Sequence, residues 1–451
     1  MFKSIRRSTT LLSVTALTLG MVSTGLLSGS ANASTSTPGV TAKTITIGAT
    51  VPLSGVAASY APVSAAANAV FTYINKHGGV NGRSIKYIRL DDCYDLAAYG
   101  LGCTAGASTT TLSQNQVLVA QQHVFATVGS LGTAAEDSVL SYLKQNGVPQ
   151  LFVASGSRDW NQPAIYPGTF GFQTSYVAEG KIFARYINAH FAGQSVGFIG
   201  QNDDFGADGL IGLVDGGVSI SSANNLNYNA ADAISGSSSD LVQDVQTLQA
   251  NKVQVVVLDS VPGFTAGILS IAKQLSYSPQ WVISSVGSDP TLVNNAGEVG
   301  AISLDYFPAP TNTKDAWVPW LRKVLLADKA DFPSFTASSV LTGNEFYGAA
   351  YAVAFAETLK AEGKNVTRAG FMKTLKSTTL NTPAITPLKY SSSNHQGLLG
   401  GVIATIPSNG GAAPTVIVEP NTTVFSTHNT KSSPITVSKT LDITAIPNWL
   451  K

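Results

Sequence analysis

The chain has 451 residues, 44% of them hydrophobic and 12% charged, with 27 Lys+Arg against 26 Asp+Glu. This length predicts about two or three domains with cores of their own. The near balance of charge argues against nucleic-acid binding, which requires a strongly basic face. Its 2 cysteines exclude a disulfide-dense scaffold and a four-cysteine zinc site.

The first 33 residues have the pattern of a signal peptide. Three basic residues within 3–7 precede an apolar segment over 11–27, and a small-x-small pattern ends at Ala33, where we expect cleavage. A membrane anchor is the alternative, but hydroxyl residues interrupt the segment and no charged stop follows it. No cysteine follows it either, so no bacterial lipid anchor is expected. Cleavage would leave 24 Lys+Arg against 26 Asp+Glu in an exported protein.

Export determines how Cys93 and Cys103 are interpreted. An oxidising compartment favours a disulfide that closes the short loop between them, with a local structural role. A metal pair is the alternative, although no His or acidic cluster completes a site of standard spacing. We therefore expect neither a metal nor a cofactor.

From Thr44 onward, short apolar runs alternate with helical patterns. Strands are predicted at 45–49, 85–90, 124–129 and 150–154, with helices at about 63–74, 109–121 and 134–145. The pattern then restarts with a helix at 178–190, strands at 195–200, 253–258 and 280–284, and helices at 240–249 and 263–275. Further helices at 315–326, 343–360 and 367–375 precede strands at 401–406 and 415–418 and a Ser/Thr/Pro-rich tail. We predict an α/β fold with two doubly wound, Rossmann-like lobes and a cleft between them.

An ordered set of motifs resembles a known family. The motifs include Ile45-Thr46-Ile47-Gly48, Pro52-Leu53-Ser54-Gly55, the run Tyr73 to Gly82, Leu90-Asp91-Asp92, Val128-Gly129-Ser130, Val148-Pro149 and Asp203-Asp204-Phe205-Gly206. Over about residues 44–405 the sequence resembles type 1 periplasmic solute-binding proteins. It is most similar to the leucine/isoleucine/valine-binding subgroup of branched-chain amino-acid ABC transporters.

The resemblance implies two lobes joined by a three-crossing hinge and closing on a small ligand. Carried over here, the crossings fall near Phe172, Tyr306 and Ser392. The first lobe would comprise 44–171 plus 307–391, and the second 172–306 plus 392–451, with the tail from about 420 unplaced. The implied partner is an ABC permease. We expect a monomer that binds no nucleic acid and does not span the membrane when mature.

Ligands of open α/β sheets bind at the carboxyl ends of strands, which points to four loops of the first lobe. Hydroxyls and backbone N–H groups at helix starts suit a carboxylate there, and the resemblance assigns the matching positions to the α-carboxylate of an amino acid. Helix capping is the alternative role of these Ser and Thr residues. For Tyr60, which stands where the family has an aromatic, the alternative is an ordinary surface tyrosine. The first-lobe candidates are Ser54, Tyr60, Ser130, Gly132, Thr133, Ala154, Ser155 and Ser157.

Three residues are candidates from the second lobe: Phe205, Asp259 and Asp289. The subgroup supplies a tyrosine and an acid for the α-ammonium group of the ligand. No clear tyrosine follows Leu258, and the acid is Asp289, Asp259 or neither. A ligand ammonium buried without a carboxylate would be costly. The ligand is therefore left open between an amino acid, branched-chain-like, and a related carboxylate or small amide.

Enzyme motifs are weak in this sequence. The motif Gly193-Gln194-Ser195-Val196-Gly197 matches that of serine hydrolases, but a nucleophile elbow follows a strand and opens a helix. Here a predicted helix precedes the motif and a strand follows it. We predict a solute-binding protein of an ABC importer, without catalysis. The alternatives are a ligand-sensing receptor module of the same fold and, less favoured, an extracellular hydrolase that acts through Ser195.

Overall fold

The computed structural model describes residues 37–232, 239–289, 293, 295–406, 416–417, 423–441 and 443–451. The predicted signal peptide over 1–33 and its cleavage site lie outside these residues. In the part of the chain that is described, no helix is both long and apolar enough to cross a bilayer.

The first lobe is built on a sheet of five described parallel strands in the order β2-β1-β3-β4-β5. Their bounds are β1 Thr44–Val51, β2 Ser84–Asp91, β3 Thr127–Val128, β4 Gln150–Val153 and β5 Thr169–Gly171. Helices α1 Ala61–Lys76, α2 Thr111–Gln116, α3 Thr133–Asp137 and α4 Leu140–Gln145 connect them. Ile45, Ile47 and Ala49 of β1 are fully buried, as a strand covered on both faces requires.

Three later helices complete this lobe: α9 Trp317–Ala327, α10 Gly343–Glu362 and α11 Arg368–Leu375. Helices α9 and α10 pack on α1. The approach of α10 depends on Gly348, because a Cβ there would lie 1.9 Å from the backbone oxygen of Val63. The sequence prediction of one helix over 134–145 is wrong in detail, since Ser138 and Val139 separate α3 from α4.

The second lobe contains a mixed sheet in the order β14-β13-β11-β10-β9-β8-β6-β7, with β12 paired to β11. Its strands are β6 Val196–Gln201, β7 Ile220–Tyr228, β8 Val255–Asp259, β9 Gln280–Ile283, β10 Ile302–Asp305, β11 Gly400–Thr405, β12 Val416–Ile417, β13 Val424–Ser426 and β14 Thr436–Ser438. Helices α5 Tyr176–His190, α6 Asp204–Asp215, α7 Ser239–Ala250 and α8 Pro262–Gln274 belong to it. Strands β6 to β10 pair in parallel, whereas β11 to β14 pair antiparallel.

Helices α5 and α6 form the closest helix pair of the second lobe. A Cβ on Gly180 would lie 2.4 Å from the Gly209 oxygen, and a Cβ on Gly212 would lie 2.3 Å from the Val177 oxygen. Only glycine permits this distance between the two backbones. The pair carries Tyr176 and Phe205 to the cleft side of the lobe.

The two-lobe α/β architecture predicted from the sequence is confirmed. The chain leaves the first sheet after β5, returns after β10 to α9, and re-enters the second sheet at β11. The residue bounds proposed for each lobe stay a prediction.

The sequence left the tail from about residue 420 unplaced. After β14 it runs to α9, where Trp317 Nε1 donates to the Thr444 oxygen at 2.8 Å and Trp320 Nε1 to the Leu450 oxygen at 3.2 Å. Ile446 and Leu450 are buried in the same core cluster as α1 and α9. The apolar side chains of the last residues therefore complete the surface of the first lobe.

Candidate ligand-binding site

A cleft lies between the lobes where the carboxyl ends of the strands face each other. It holds about 1190 Å³ not filled by protein atoms, its mouth included. Seven aromatic residues line it: Tyr60, Tyr94, Tyr176, Phe205, Tyr306, Phe307 and Tyr347. Two acids, Asp289 and Asp305, also line it, and none of its described lining residues is Lys, Arg or His. The cleft is therefore an aromatic cage with carboxyl groups but no cation.

Neutral hydrogen-bond donors from both lobes gather at one end of the cleft. Thr133 Oγ1 lies 2.8 Å from Ser155 Oγ, and the Tyr176 hydroxyl lies 3.4 Å from both oxygens. Burial raises the pKa of Tyr176 to about 12, so its hydroxyl remains a neutral donor. The cluster can donate to a ligand oxygen without contributing charge.

Gln173 provides the clearest unpaired donor at the cleft. Its side chain is 4% exposed, and its Oε1 accepts a hydrogen bond from the Tyr347 hydroxyl at 2.9 Å. Its Nε2 has no hydrogen-bond partner among the described residues, although Gln173 lines the cleft. A buried amide N–H without a partner is costly, which makes a ligand acceptor its natural partner.

The predicted first-lobe residues divide into two groups. Tyr60, Gly132, Thr133 and Ala154 line the cleft, and Ser155 is hydrogen-bonded to Thr133. The Tyr60 hydroxyl donates to the Val286 oxygen of the second lobe at 2.7 Å, and the residue is buried. Tyr60 is therefore not an ordinary surface tyrosine.

The other predicted serines do not line the cleft. Ser54 Oγ donates to Asp91 Oδ2 at 2.5 Å, and Ser130 Oγ accepts from the Thr50 N–H at 3.2 Å. Ser157 Oγ accepts from the Asp159 N–H at 3.2 Å and so caps a helical turn. For these three, the structure favours a role in shaping loops.

On the second lobe, Phe205 and Asp289 line the cleft but Asp259 does not. Asp259 is buried under α6, where a Cβ on Gly209 would lie 1.5 Å from its Oδ2. Burial raises the pKa of Asp259 well above its usual range, and the nearby Glu179 and Asp208 carboxyls raise it further. Of the two acids left open by the sequence, Asp289 is the one placed at the cleft.

One of the four first-lobe loops expected at the cleft covers 91–94, although Tyr94 was not named as a site residue. Other lining residues that sequence reasoning did not name include Gln173, Tyr176, Asp305 and Tyr347. Two of them lie just after a predicted crossing, so the carried-over hinge near Phe172 was a usable signal. Tyr347 gave no signal, because α10 is buried along most of its length. Its cleft side therefore cannot be recognised from periodicity.

Tyr94 lies in a loop with an unusual backbone. Cys93, Tyr94 and Asp95 have φ values of 53°, 61° and 60°, a left-handed run that costs roughly 1–2 kcal/mol per non-glycine residue. The predicted Cys93–Cys103 disulfide closes this loop and is confirmed, with Cα atoms 5.7 Å apart. Three polar contacts hold the run: Asp91 Oδ1 accepts from the Cys93 N–H at 3.0 Å, Asp92 Oδ1 from the Tyr94 N–H at 3.1 Å, and Asp95 Oδ1 from the Thr111 N–H at 2.7 Å.

Two further contacts join the lobes. Gln201 Nε2 donates to the Tyr94 hydroxyl at 3.3 Å. Arg158 binds Asp208 of α6, with Nε 3.1 Å from Oδ1 and the backbone N–H donating to Oδ2 at 2.8 Å. Together with the bond from Tyr60, these contacts describe lobes in a closed arrangement.

Comparison with known proteins identifies the family. A family model described as "Periplasmic binding protein" matches residues 44–411. The chain belongs to this family. The family predicted from the sequence is thus confirmed, and the chain is a periplasmic binding protein. Among curated proteins, none matches the chain.

Solved structures show the same fold for this periplasmic binding protein. A possible leucine/isoleucine/valine-binding protein from Rhodopirellula baltica SH 1 has a TM-score of 0.68 and 16% identity, covering 84% of this chain and 98% of that one. A fatty acid ABC transporter substrate-binding protein from Thermomonospora curvata has a TM-score of 0.68 and 18% identity, and the match covers 84% of this chain and 93% of that one. A branched chain amino acid ABC transporter from Thermus thermophilus with bound valine has a TM-score of 0.67 and 15% identity, and the match covers 84% of this chain and 97% of that one.

In this periplasmic binding protein, Ser195 lies away from the cleft lining. Its Oγ donates to the Lys252 oxygen at 3.0 Å, just before β6 begins. The residue therefore belongs to a turn and not to a nucleophile elbow. The described residues contain no group of three or more His, Cys, Asp or Glu side chains arranged to hold a metal ion.

Proposed function

We propose that this protein binds an amino acid with an apolar or aromatic side chain between its lobes and delivers it, outside the cytoplasmic membrane, to an ABC permease. The observation that carries the proposal is the composition of one cleft. It combines an unpaired neutral donor, Gln173 Nε2, with two acids and no cation among its described lining residues.

The donors suit the carboxylate of the ligand. Thr133, Tyr176 and Gln173 supply hydroxyl and amide hydrogens near the start of α5. Hydrogen bonds to an ionised acceptor are stronger than neutral ones, so a carboxylate can be held there without a cation. Repulsion from Asp289 and Asp305 would oppose a ligand that carried only negative charge.

The acids suit an ammonium group. Asp289 lies on the loop after β9 and Asp305 ends β10, and both line the cleft. A desolvated ammonium needs a carboxylate partner, and aromatic faces attract it further. A zwitterion therefore satisfies both ends of the cleft, whereas a fatty acid, the ligand class named for the neighbour from Thermomonospora curvata, satisfies only the donor end.

Calorimetric titration of protein refolded free of ligand tests the proposal with matched molecules. Leucine is compared with isocaproate, which lacks the amino group, and with isoamylamine, which lacks the carboxylate. Phenylalanine, hydrocinnamate and phenethylamine form the aromatic set. We expect an amino acid to bind about tenfold or more tightly than either partner of its set. If the deaminated acids bind as tightly as the amino acids or more tightly, the proposed ligand is a simple carboxylate and not an amino acid.

A pair of variants tests the role of the acids in the cleft. Asp289→Asn should weaken binding of the amino acid by about tenfold or more. The ratio of the affinity for the amino acid to the affinity for the deaminated acid should therefore decrease. Asp215→Asn is the matched control, because Asp215 makes a 3.8 Å ion pair with Lys431 and does not line the cleft. If Asp289→Asn binds the amino acid as tightly as the control does, Asp305→Asn tests whether the second acid contacts the ammonium group. If neither variant weakens binding, the proposal of a zwitterionic ligand is rejected.

A further inference from the structure

We propose that Tyr94 is a positioning residue for lobe closure, and that the Cys93–Cys103 disulfide makes its position dependent on redox state. The proposal goes beyond the proposed function and needs only the closed arrangement of the lobes that the contacts of Tyr60, Tyr94 and Arg158 describe. It assigns the disulfide loop, defined here as residues 93–103, a role beyond local stiffening.

The backbone of the loop places Tyr94 at the cleft. Tyr94 follows β2, and the left-handed run at 93–95 brings its ring over Gly132, where an added Cβ would lie 3.1 Å from Tyr94 Cε2. Strained backbone that persists at a binding cleft points to a functional constraint. The surrounding contacts must therefore hold this run against relaxation.

The disulfide is central to that holding network. Ser54 Oγ lies 3.2 Å from Cys93 Sγ and accepts from the Thr104 N–H at 2.8 Å. The Gly55 N–H donates to the Gly102 oxygen at 3.2 Å. The disulfide joins the start of the loop to its end. The contacts of Ser54 and Gly55 join both ends to the loop after β1.

Tyr94 reaches across the cleft into a chain of hydrogen bonds. Its hydroxyl accepts from Gln201 Nε2, and Gln201 Oε1 accepts from the Tyr228 hydroxyl at 3.1 Å. The Tyr228 oxygen in turn accepts from the N–H of Val261, which lines the cleft. The position of Tyr94 is thereby coupled to the second-lobe face.

A dithiol reductant can break the bridge by ordinary exchange. Its thiolate attacks Cys103, the more exposed of the two cysteines, and displaces the Cys93 thiolate, which then takes a proton. The second thiol of the reductant resolves the mixed disulfide. Two electrons and two protons pass to the protein, which gains two thiols, while the reductant becomes a disulfide.

Hydrogen exchange of the ligand-free, full-length mature protein tests the proposal. Oxidised wild type is compared with protein reduced by dithiothreitol and with Tyr94→Phe, which keeps the ring and removes the hydroxyl. Tyr99→Phe is the matched control, because Tyr99 lies in the same loop but is 63% exposed. We expect reduction and Tyr94→Phe each to accelerate exchange severalfold in residues 196–206 of the second lobe, with the radius of gyration from small-angle scattering increasing in parallel.

Comparing reduction with Tyr94→Phe distinguishes a positioning role of Tyr94 from a general loss of stability in the disulfide loop. If Tyr94 is the link, reducing Tyr94→Phe adds little further exchange at 196–206, and Tyr99→Phe behaves as wild type. Faster exchange confined to 92–103, with 196–206 unchanged after reduction and in Tyr94→Phe, would overturn the proposal. Because no ligand is present, a failed titration of amino acids would leave this result standing.

Discussion

The two faces of the cleft are held in place by different chemistry. On the first lobe, hydrogen bonds and a covalent bridge fix the loops, as Asp91 Oδ1 shows by accepting from the N–H groups of Leu53, Ser54 and Cys93. On the second lobe, the face rests on α5, α6 and β8, where the Glu179 and Asp208 carboxyls add to the effect of burial in raising the pKa of Asp259.

Buried acids occur in both lobes, and their surroundings differ. Glu136, a buried acid of the first lobe, is bonded to Thr50 at 2.7 Å and to Gln150 at 2.9 Å. On the second lobe, Glu179 and Asp208 lie near enough to Asp259 to raise its pKa, and Glu179 Oε1 accepts from the N–H of Ser285 on the cleft at 2.7 Å. We therefore expect the first-lobe face to depend on redox state and the second-lobe face to depend on close helix packing, whereas buried acids make the stability of both lobes depend on pH.

The largest effect is expected at the helix contact of the second lobe. Gly212→Val would drive a side chain into the Val177 oxygen, 2.3 Å from the added Cβ, and into Gly180 Cα at 2.9 Å. We expect a loss of about 3 kcal/mol or more in the free energy of unfolding, measured by urea denaturation. Gly267→Ala in α8 is the control, because nothing lies within 4 Å of its added Cβ, and it should stabilise the protein by about 0.4–1 kcal/mol. Tolerance of Gly212→Val would show that close packing does not hold the face.

Loss of the disulfide should be the next largest effect. The bridge spans a sequence separation of 10 residues, and bridges of this kind stabilise by about 2–4 kcal/mol. Cys93→Ser with Cys103→Ser should lower the free energy of unfolding by that amount, as judged from urea curves under oxidising conditions. Addition of dithiothreitol should destabilise wild type but leave the double variant unchanged. If the double variant is as stable as oxidised wild type, the disulfide does not stabilise the first-lobe face.

A smaller effect concerns pH. Burial raises the pKa of Glu179 to about 7 and of Glu136 to about 8. Since a carboxyl with a raised folded-state pKa stabilises the fold while protonated, that stability is lost as pH rises from about 4.5 through these values. The free energy of unfolding of wild type should therefore fall between about pH 5 and pH 8. Glu179→Gln and Glu136→Gln should each flatten this dependence by roughly 1–3 kcal/mol.

The coupling between acids sharpens the same test. Glu179→Gln combined with Asp259→Asn should be non-additive, because the two carboxyls repel each other. Glu179→Gln combined with Glu136→Gln, one in each lobe, should be nearly additive. Additivity in both pairs would contradict the coupling of Glu179 to Asp259 in the second lobe.

The smallest effect is expected at Ser195. Ser195→Ala removes one bond to the Lys252 oxygen outside the cleft, so we expect a change within about 0.5 kcal/mol in stability and none in ligand affinity. A loss of function in this variant would revive the hydrolase hypothesis.

The sequence predicted most of the fold because buried parallel strands are continuous apolar runs, as β8 Val255–Asp259 illustrates. It missed β7 Ile220–Tyr228, whose composition is polar because it lies at the edge of the sheet and, among the described strands, pairs with β6 alone. Polar composition also left the tail unplaced, although β13 and β14 join the second sheet. Edge strands are specified by pairing and less by an apolar pattern of their own.

The site was only partly predictable for a different reason. Loops that directly follow strands gave Tyr60, Thr133 and Phe205, because their position follows from the sheet topology. Tyr94 depends on a left-handed backbone run, and Gln173 on a hinge crossing. Neither conformation can be derived from residue type alone. The direct contact of any of these residues with ligand stays a prediction.

The most direct test of the central claim is a crystal structure of the protein with the tightest-binding molecule of the leucine and phenylalanine sets. We predict a carboxylate about 3 Å from Gln173 Nε2 and Thr133 Oγ1, and an ammonium within hydrogen-bond distance of Asp289 or Asp305. A ligand bound outside the cleft, or one in the cleft whose charged groups contact neither the Gln173 amide nor either acid, would contradict the account.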